Sequence, residues 1–183
     1  MKNIIYKRIE TTEELQQILE LQELNLSTSI SDQEKKKEGF VTVHHTFEIL
    51  KLMNNKCAHI IAKSNNRVVG YALCMAKDFK DEIDVLKPMF DNIEDNIRKG
   101  IKYIVMGQIC IDKSYRKQGV FKSLYSRMKE ILKHKYDCIV TEVDSKNERS
   151  LGAHLSIGFK ILYSYSFNNQ DWKILSWNIK EVS

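Results

Sequence analysis

Between Ile109 and Leu124 a polar, basic loop interrupts two apolar stretches. Ile109-Cys110-Ile111 leads into Asp112-Lys113-Ser114-Tyr115-Arg116-Lys117-Gln118-Gly119, and Val120-Phe121-Lys122-Ser123-Leu124 follows. The spacing predicts a strand, a loop, and a helix opened by Gly119. The first backbone N–H groups of a helix have no acceptor inside it, and the helix dipole is positive at that end. Such an end favours an anion, and a pyrophosphate suits it. Gly119 would let the backbone approach closely, while Arg116, Lys117 and Lys122 add positive charge. A plain strand-to-helix connection with solvated basic residues is the competing reading, because short glycine motifs also arise by chance. The segment has neither the Gly-x-x-x-x-Gly-Lys-Ser/Thr of a P-loop nor the Gly-x-Gly-x-x-Gly of a dinucleotide fold.

The elements that must carry this loop are legible on both sides of it. Ile4-Ile5-Tyr6 suggests an opening strand. Thr11 or Thr12 followed by Glu13 and Glu14 is a helix start, and Leu15, Ile18, Leu19, Leu21 and Leu24 continue at helical spacing to about Leu26. Residues 27–46 read as a loop with a short helix, and Thr46–Met53 as a further helix. His59–Ala62 and Val68–Met75 form a hairpin pattern around Ser64-Asn65-Asn66-Arg67. Within it, Gly70 hints at a bulge or a close backbone approach. Lys77–Gly100 is an acidic helical excursion containing the only proline, with Gly100 placed to end its helix. Lys102–Ile111 is an apolar strand, Gly119–His134 a helix, Cys138–Val143 a strand and Glu148–Ser156 a short helix. Phe159–Phe167 and Trp172–Ile179 form a closing hairpin. The order is that of an α/β (α+β) sandwich with a mixed sheet.

Composition narrows the classes. At 183 residues, 1–183 is expected to be a single domain. The 43% hydrophobic share supplies a core, so disorder is a poor reading of the whole. No apolar run approaches the roughly 20 residues of a membrane span, and the N-terminus turns polar at once, so a cytoplasmic location is expected. The four cysteines, Cys57, Cys74, Cys110 and Cys138, are far apart without Cys-x-x-Cys or histidine spacing. Buried reduced thiols are expected, with no zinc site and no disulfide framework. The charge of +5 has no basic stripe interleaved with aromatics, since Lys35-Lys36-Lys37 is flanked by Asp32, Glu34 and Glu38. A nucleic-acid partner is not expected.

Two motifs carry a family resemblance. Arg116-Lys117-Gln118-Gly119-Val120-Phe121 resembles the Gln/Arg-x-x-Gly-x-Gly/Ala signature of the GNAT N-acetyltransferases, departing at Phe121, where the family has a small residue. After a helix and a strand, Asn147-Glu148-Arg149-Ser150-Leu151-Gly152-Ala153-His154-Leu155-Ser156-Ile157-Gly158-Phe159 resembles that family's Asn-opened helix ending in Gly-Phe. The resemblance is best over residues 102–167.

It implies a GNAT fold, a mixed central sheet with splayed middle strands flanked by helices. It implies an acyl-CoA-dependent acetyl transfer from acetyl-CoA to a small-molecule or peptide amine, attacking the thioester directly. Ile109, Cys110 and Ile111 would line the pantetheine arm, Arg116–Lys122 the pyrophosphate, and Asn147 the pantetheine side. His154 occupies the slot of a proton donor in that family. As a bare residue it reads equally as a packing histidine. Glu142 and Gln108, near the sheet centre, are the places to look for a base. Glutamine cannot serve, leaving Glu142 or a water chain. Were His154 structural, Tyr163 or Tyr165 would be the donor candidates. The acids at 78–95 would border the acceptor, or would merely balance a basic chain. A non-catalytic GNAT-fold module that binds acyl-CoA is the alternative function, and a homodimer is left open.

Overall fold

The computed structural model describes residues 3–26, 28, 31, 33, 40–41 and 43–180. The basic triplet and most of the expected 27–46 loop lie outside the described residues. Seven strands, β1 (Ile5–Arg8), β2 (Ile60–Ser64), β3 (Arg67–Met75), β4 (Tyr103–Ile111), β5 (Cys138–Asp144), β6 (Lys160–Phe167) and β7 (Gln170–Asn178), form one sheet in the order β1-β2-β3-β4-β5-β7-β6. Among the described residues five α-helices accompany them: α1 (Thr12–Glu23), α2 (Phe47–Lys56), α3 (Lys87–Asn96), α4 (Val120–Leu132) and α5 (Glu148–Ser156). Every strand pair is antiparallel except β4–β5. A parallel pair needs a long crossover, and α4 supplies it.

Local chemistry sets the ends of these elements. Thr11 Oγ1 accepts from Glu14 N at 3.2 Å to start α1, and Thr46 Oγ1 accepts from Ile49 N at 3.3 Å to start α2. Asn65 and Asn66 (φ 48° and 63°) close the β2–β3 hairpin, and Asn168 and Asn169 (φ 49° and 58°) close β6–β7. Two left-handed residues in a row make a turn whose twist matches the strands. The second hairpin is therefore two residues tighter than the Asn168–Asp171 loop suggested by sequence. The acidic excursion holds α3, with Pro88 in its first turn, but α3 ends at Asn96, well before Gly100.

The sheet carries a core on each face. Leu15, Ile18, Leu50, Met53, Phe90 and Ile93 bury one face under α1, α2 and α3. On the other, Leu124, Tyr125 and Met128 of α4 pack with Phe159. Near Gly70, β2 and β3 slip register between Ala62 and Lys63, and a Cβ on Gly70 would lie 3.3 Å from Cys110 O.

The feature that shapes the site is where β4 and β5 part. They share only three rungs, Tyr103↔Cys138, Ile104↔Ile139 and Val105↔Val140. Thr141 Oγ1 then donates to Met106 O at 2.9 Å, while β5 goes on pairing with β7 as far as Asp144. β4 bulges at this point: Cys74 faces Met106, Leu73 faces Gln108, and Gly107 is the extra residue. A bulge bends its strand and reverses the alternation of side chains beyond it. Val105 and Cys110 thus lie in one core, and Ile104, Met106, Ile109 and Ile111 against the other. The splayed middle strands expected from the resemblance are present.

Candidate active site

The splay opens into a cleft of about 770 Å³. All of the expected binding residues line it except Gln118: Ile109, Cys110 and Ile111 on β4; Arg116, Lys117, Gly119, Val120, Phe121 and Lys122 at the start of α4; and Asn147 before α5. Gln118 instead turns back, its Nε2 donating to Ser114 O at 2.8 Å. Asn25, Phe40 and Val41 complete the wall from the N-terminal third, together with Arg149 and Ser150. No sequence motif marks the first three. Arg149 stands two residues after Asn147, and the helix start there was the available signal.

The loop is wound tightly enough to present its backbone. Asp112 Oδ1 accepts from Ser114 N at 2.8 Å, Lys117 has φ 60° and Gly119 φ 80°. The left-handed φ is the reason for glycine at 119, not crowding, since a Cβ built there meets nothing within 4 Å. α1, α2 and α5 each begin with a side-chain cap, whereas α4 has none. Its first N–H groups therefore face the cleft with no side chain of the cap residue to accept them.

Two expected binding groups serve the protein itself. Arg116 Nε donates to Ile111 O at 3.0 Å and one Nη to Asn25 Oδ1 at 2.6 Å, so its guanidinium braces the segment just after α1 against the loop. Asn147 Oδ1 caps α5 by accepting from Ser150 N at 3.1 Å, and Nδ2 donates to Phe40 O at 3.4 Å. Phe121, the departure from the signature, packs edge-on against Tyr125 and His154, each with centroids 5.1 Å away. The Gly-Phe ending of α5 is a Schellman turn: Phe159 N donates to His154 O at 3.2 Å, and Gly158 takes φ 108°.

Phe40 and Val41, with Val43, His44 and His45, form a strap over the splay, held by a buried pair of amides. Gln108 Oε1 accepts from Tyr71 Oη at 2.6 Å and Gln22 Nε2 at 2.7 Å, and Gln108 Nε2 donates to Val43 O at 2.7 Å. Gln22 Oε1 accepts from His45 N at 2.9 Å, and its Nε2 also faces His45 Nδ1 at 3.0 Å. Both amides are thus occupied, and Gln108 is structural. Gln22→Ala should loosen Phe40 and Val41. We expect the KM for acetyl-CoA to rise roughly tenfold if about 1.4 kcal/mol of ordering is lost, with kcat per folded molecule kept. An unchanged KM would separate the strap from the cleft.

Deeper in the splay lies a chamber of about 70 Å³ lined by Gln108, Thr141, Glu142, His154 and strap residues. Burial pushes the Glu142 carboxyl up to about 7, although it accepts a hydrogen bond from Tyr165 Oη that works the other way. Burial and the adjoining carboxylate push the Tyr165 phenol well above its usual range, so it stays protonated. Tyr163 sits half-exposed on the edge strand.

His154 does not meet the needs of a proton donor. It is 1% exposed, Nδ1 donates to Ser150 O at 2.7 Å, and Nε2 accepts from Tyr125 Oη at 2.7 Å. Burial drives its pKa down to about 4, so the ring is neutral when an acid would be needed. The ring packs edge-on to Phe121, Tyr125 and Phe159. His154→Ala should therefore lower stability by about 1–3 kcal/mol, chiefly by orphaning Tyr125 Oη and opening a void. Turnover per folded molecule should hold. A large fall in kcat at unchanged melting temperature would restore the catalytic role.

The acidic excursion lines neither cavity. Its carboxylates meet local lysines: Asp91 and Glu94 flank Lys80 at 2.5 and 3.1 Å, and Asp78 meets Lys56 at 3.1 Å. These contacts favour the charge-balancing reading.

The arrangement defines a class: a mixed sheet parted at its one parallel pair, with an uncapped helix end at the mouth of the gap. The Acetyltransferase (GNAT) family profile matches residues 15–159, and the chain belongs to that family. No curated protein matches it in sequence. Among solved structures it resembles the ribosomal-protein-S18-alanine N-acetyltransferase of Escherichia coli, at 13% identity over 99% of this chain and 97% of that one, TM-score 0.67. It resembles an N-acetyltransferase of Staphylococcus aureus Mu50 at 18% identity over 97% and 99%, TM-score 0.64. It also resembles Arabidopsis thaliana Naa50 bound to the bisubstrate analogue CoA-Ac-MVNAL, at 14% identity over 96% and 98%, TM-score 0.61. At such identities these likenesses concern the fold.

Proposed function

We propose that the protein transfers the acetyl group of acetyl-CoA to an amine by direct attack, with Glu142 as the base. The observation that carries this reading is the continuity of the splay: the uncapped end of α4 stands at its mouth and a part-buried carboxylate at its floor. The N–H groups at Gly119–Phe121, with Lys117, Lys122 and Arg149 around them, suit the pyrophosphate of the donor. Ile109, Cys110 and Ile111 offer an unpaired strand edge to its pantetheine amides.

The chemistry asks for a neutral amine and a way out for one proton. Glu142, ionised above about pH 7, accepts that proton from the ammonium. The transfer is uphill by about one pK unit for an α-amine (pKa about 7.7–8.0) and by more than three for a lysine side chain (about 10.4). An α-amine, free or at a peptide end, is thus the acceptor this base suits better. That first proton passes on to water, and the second, lost by the nitrogen as the amide forms, can be relayed to the thiolate, because a thiol near pKa 8.5 is the weaker acid. Tyr165 orients the carboxylate.

A direct test incubates the protein with acetyl-CoA, a panel of peptides, amino acids and polyamines, and a thiol reagent. Amine-dependent CoA release is expected, fastest with α-amines. Thermal stabilisation by acetyl-CoA without release would favour a binding module, and neither response would overturn the reading.

A further inference from the structure

At the end of the sheet away from β1, β6 is an edge with no strand paired to its outer side among the described residues. The two edges differ. β1 is four residues long and carries Lys7 and Arg8, and shortness and charge both keep an edge from pairing with another chain. β6 is eight residues long with six of them exposed, and from Ile161 to Phe167 it has no charge, proline or glycine. Tyr163 and Phe167 stand 40% and 38% exposed on it. We propose that β6 is the interface of a homodimer. It pairs antiparallel with β6 of a second copy, about a two-fold axis between the two copies of Tyr165, and joins the two sheets into one.

The hairpin sets this register. Asn168 and Asn169 make a two-residue turn, and Phe167 pairs with Gln170 across it. The residues flanking such a turn exchange both main-chain bonds, and bonded and unbonded rungs then alternate along the ladder. Phe167 and Tyr165 thus direct their N–H and C=O groups to β7, and those of Ser166 and Ser164 point outwards. A copy centred on Tyr165 sets Ser164 opposite the partner's Ser166, and Ser166 opposite the partner's Ser164, so the outward groups meet one another. A copy centred on Ser164 would instead set Ser166 against Leu162, where β6 slips against β7.

The side chains are self-complementary in the same register. Residues opposite one another in the β6–β7 ladder lie on one face, so Tyr163, Tyr165 and Phe167 share a face with Ile174 and Trp172. Ser164 and Ser166 share the other face with Lys173 and Asp171. On the first face Tyr163 meets the partner's Phe167, and Tyr165 meets the partner's Tyr165. Cross-strand aromatic pairs of this kind stabilise a ladder. On the second face the row across the seam runs Lys173, Ser164, the partner's Ser166, the partner's Asp171. A cation thus faces an anion across two serines, and the two-fold repeats the row with the roles exchanged. Ser166 Oγ donates to Asp171 Oδ1 at 2.6 Å, so the carboxylate already leans toward the edge. This charge complementarity selects a second copy of the chain over an arbitrary strand.

A few rungs make an interface at the small end of the usual range, so the dimer should dissociate on dilution. Sedimentation velocity between about 1 µM and about 1 mM should show one chain at the low end and two at the high end. Ser164→Pro removes an outward N–H and leaves the bonds to β7, a position where an edge strand tolerates proline. With parental circular dichroism it should remain one chain throughout. Asp171→Lys sets cation against cation across the seam and should weaken the dimer roughly fivefold. Adding Lys173→Asp restores opposite signs and should recover it. Under oxidation Tyr165→Cys should link to its copy, because Cα atoms on an unbonded rung stand about 4.5 Å apart. Leu52→Cys, at a site 52% exposed on α2, should not. A parent that stays one chain at the highest concentration would overturn the proposal. So would a folded Ser164→Pro variant that still dimerises, a charge exchange that recovers nothing, or a Tyr165→Cys dimer that does not link. All of these are read without acetyl-CoA and stand apart from the acetyl transfer.

Discussion

Glu142→Gln should lower kcat by roughly 10²–10³-fold, the range of a positioned general base, while leaving acetyl-CoA binding intact. The sign of its stability effect distinguishes this from damage. Burial raises the Glu142 pKa from 4.5 to about 7 in the folded chain, so the folded state holds the proton more tightly than the unfolded one. The cost of ionising it is absent below about 4.5, grows between 4.5 and 7, and is full above. Glutamine carries no such cost, so the variant should be at least as stable as the parent at pH 8. In the parent, rate should fall as pH drops through about 7, because the base takes up its proton. The residual rate of the variant should lack that limb. Tyr165→Phe removes the hydrogen bond that holds the carboxyl down, so its limb should move to higher pH. A Glu142→Gln variant with the parental rate and limb would eliminate Glu142 as the base.

Gly119→Val should abolish the thermal stabilisation by acetyl-CoA. A ligand that binds only the native state, at a hundred times its dissociation constant, adds about 2.7 kcal/mol. At φ 80° a side chain costs about 1–2 kcal/mol, yet a Cβ there meets nothing within 4 Å, so the variant should fold with a lowered melting temperature. Its branches would stand where the phosphates must approach the α4 amides. Gly100→Val is the matched control, with φ 88°, equally open space and no part in the cleft. It should lose comparable stability and keep the full acetyl-CoA shift. An intact shift in Gly119→Val would remove the loop from the site.

The order of strands and helices was legible because each rests on local signals. Apolar alternation marks β4 and β5, threonine caps mark α1 and α2, and paired asparagines mark both hairpins. The loop at 116–122 was legible for the same reason, its glycine and cations being contiguous. The bulge at Gly107 was not, because it is defined by the register of β3 against β4, which no local pattern records. That bulge puts Gln108 into the amide pair with Gln22, a contact across 86 positions, and so decides that Gln108 holds the strap. The surroundings of His154 were hidden for a related reason. Its helical position matches the donor slot, but its chemistry is set by Tyr125, 29 residues upstream on α4. The strap itself has no motif, since main-chain groups of Val43 and His45 do its anchoring. Glu142 was visible as a carboxylate in an apolar strand, but its pairing with Tyr165 appears only when β7 pairs with both β5 and β6 and sets β6 one strand beyond β5.

The most direct measurement of the central claim is a single-turnover experiment with the protein in excess over acetyl-CoA, with and without an α-amine peptide. CoA should appear only when the amine is present, in step with acetylated peptide, and the protein itself should carry no acetyl group at any time. Release of CoA before the amine is added, with an acetylated protein in its place, would contradict direct transfer, and no release with any amine would contradict the enzyme.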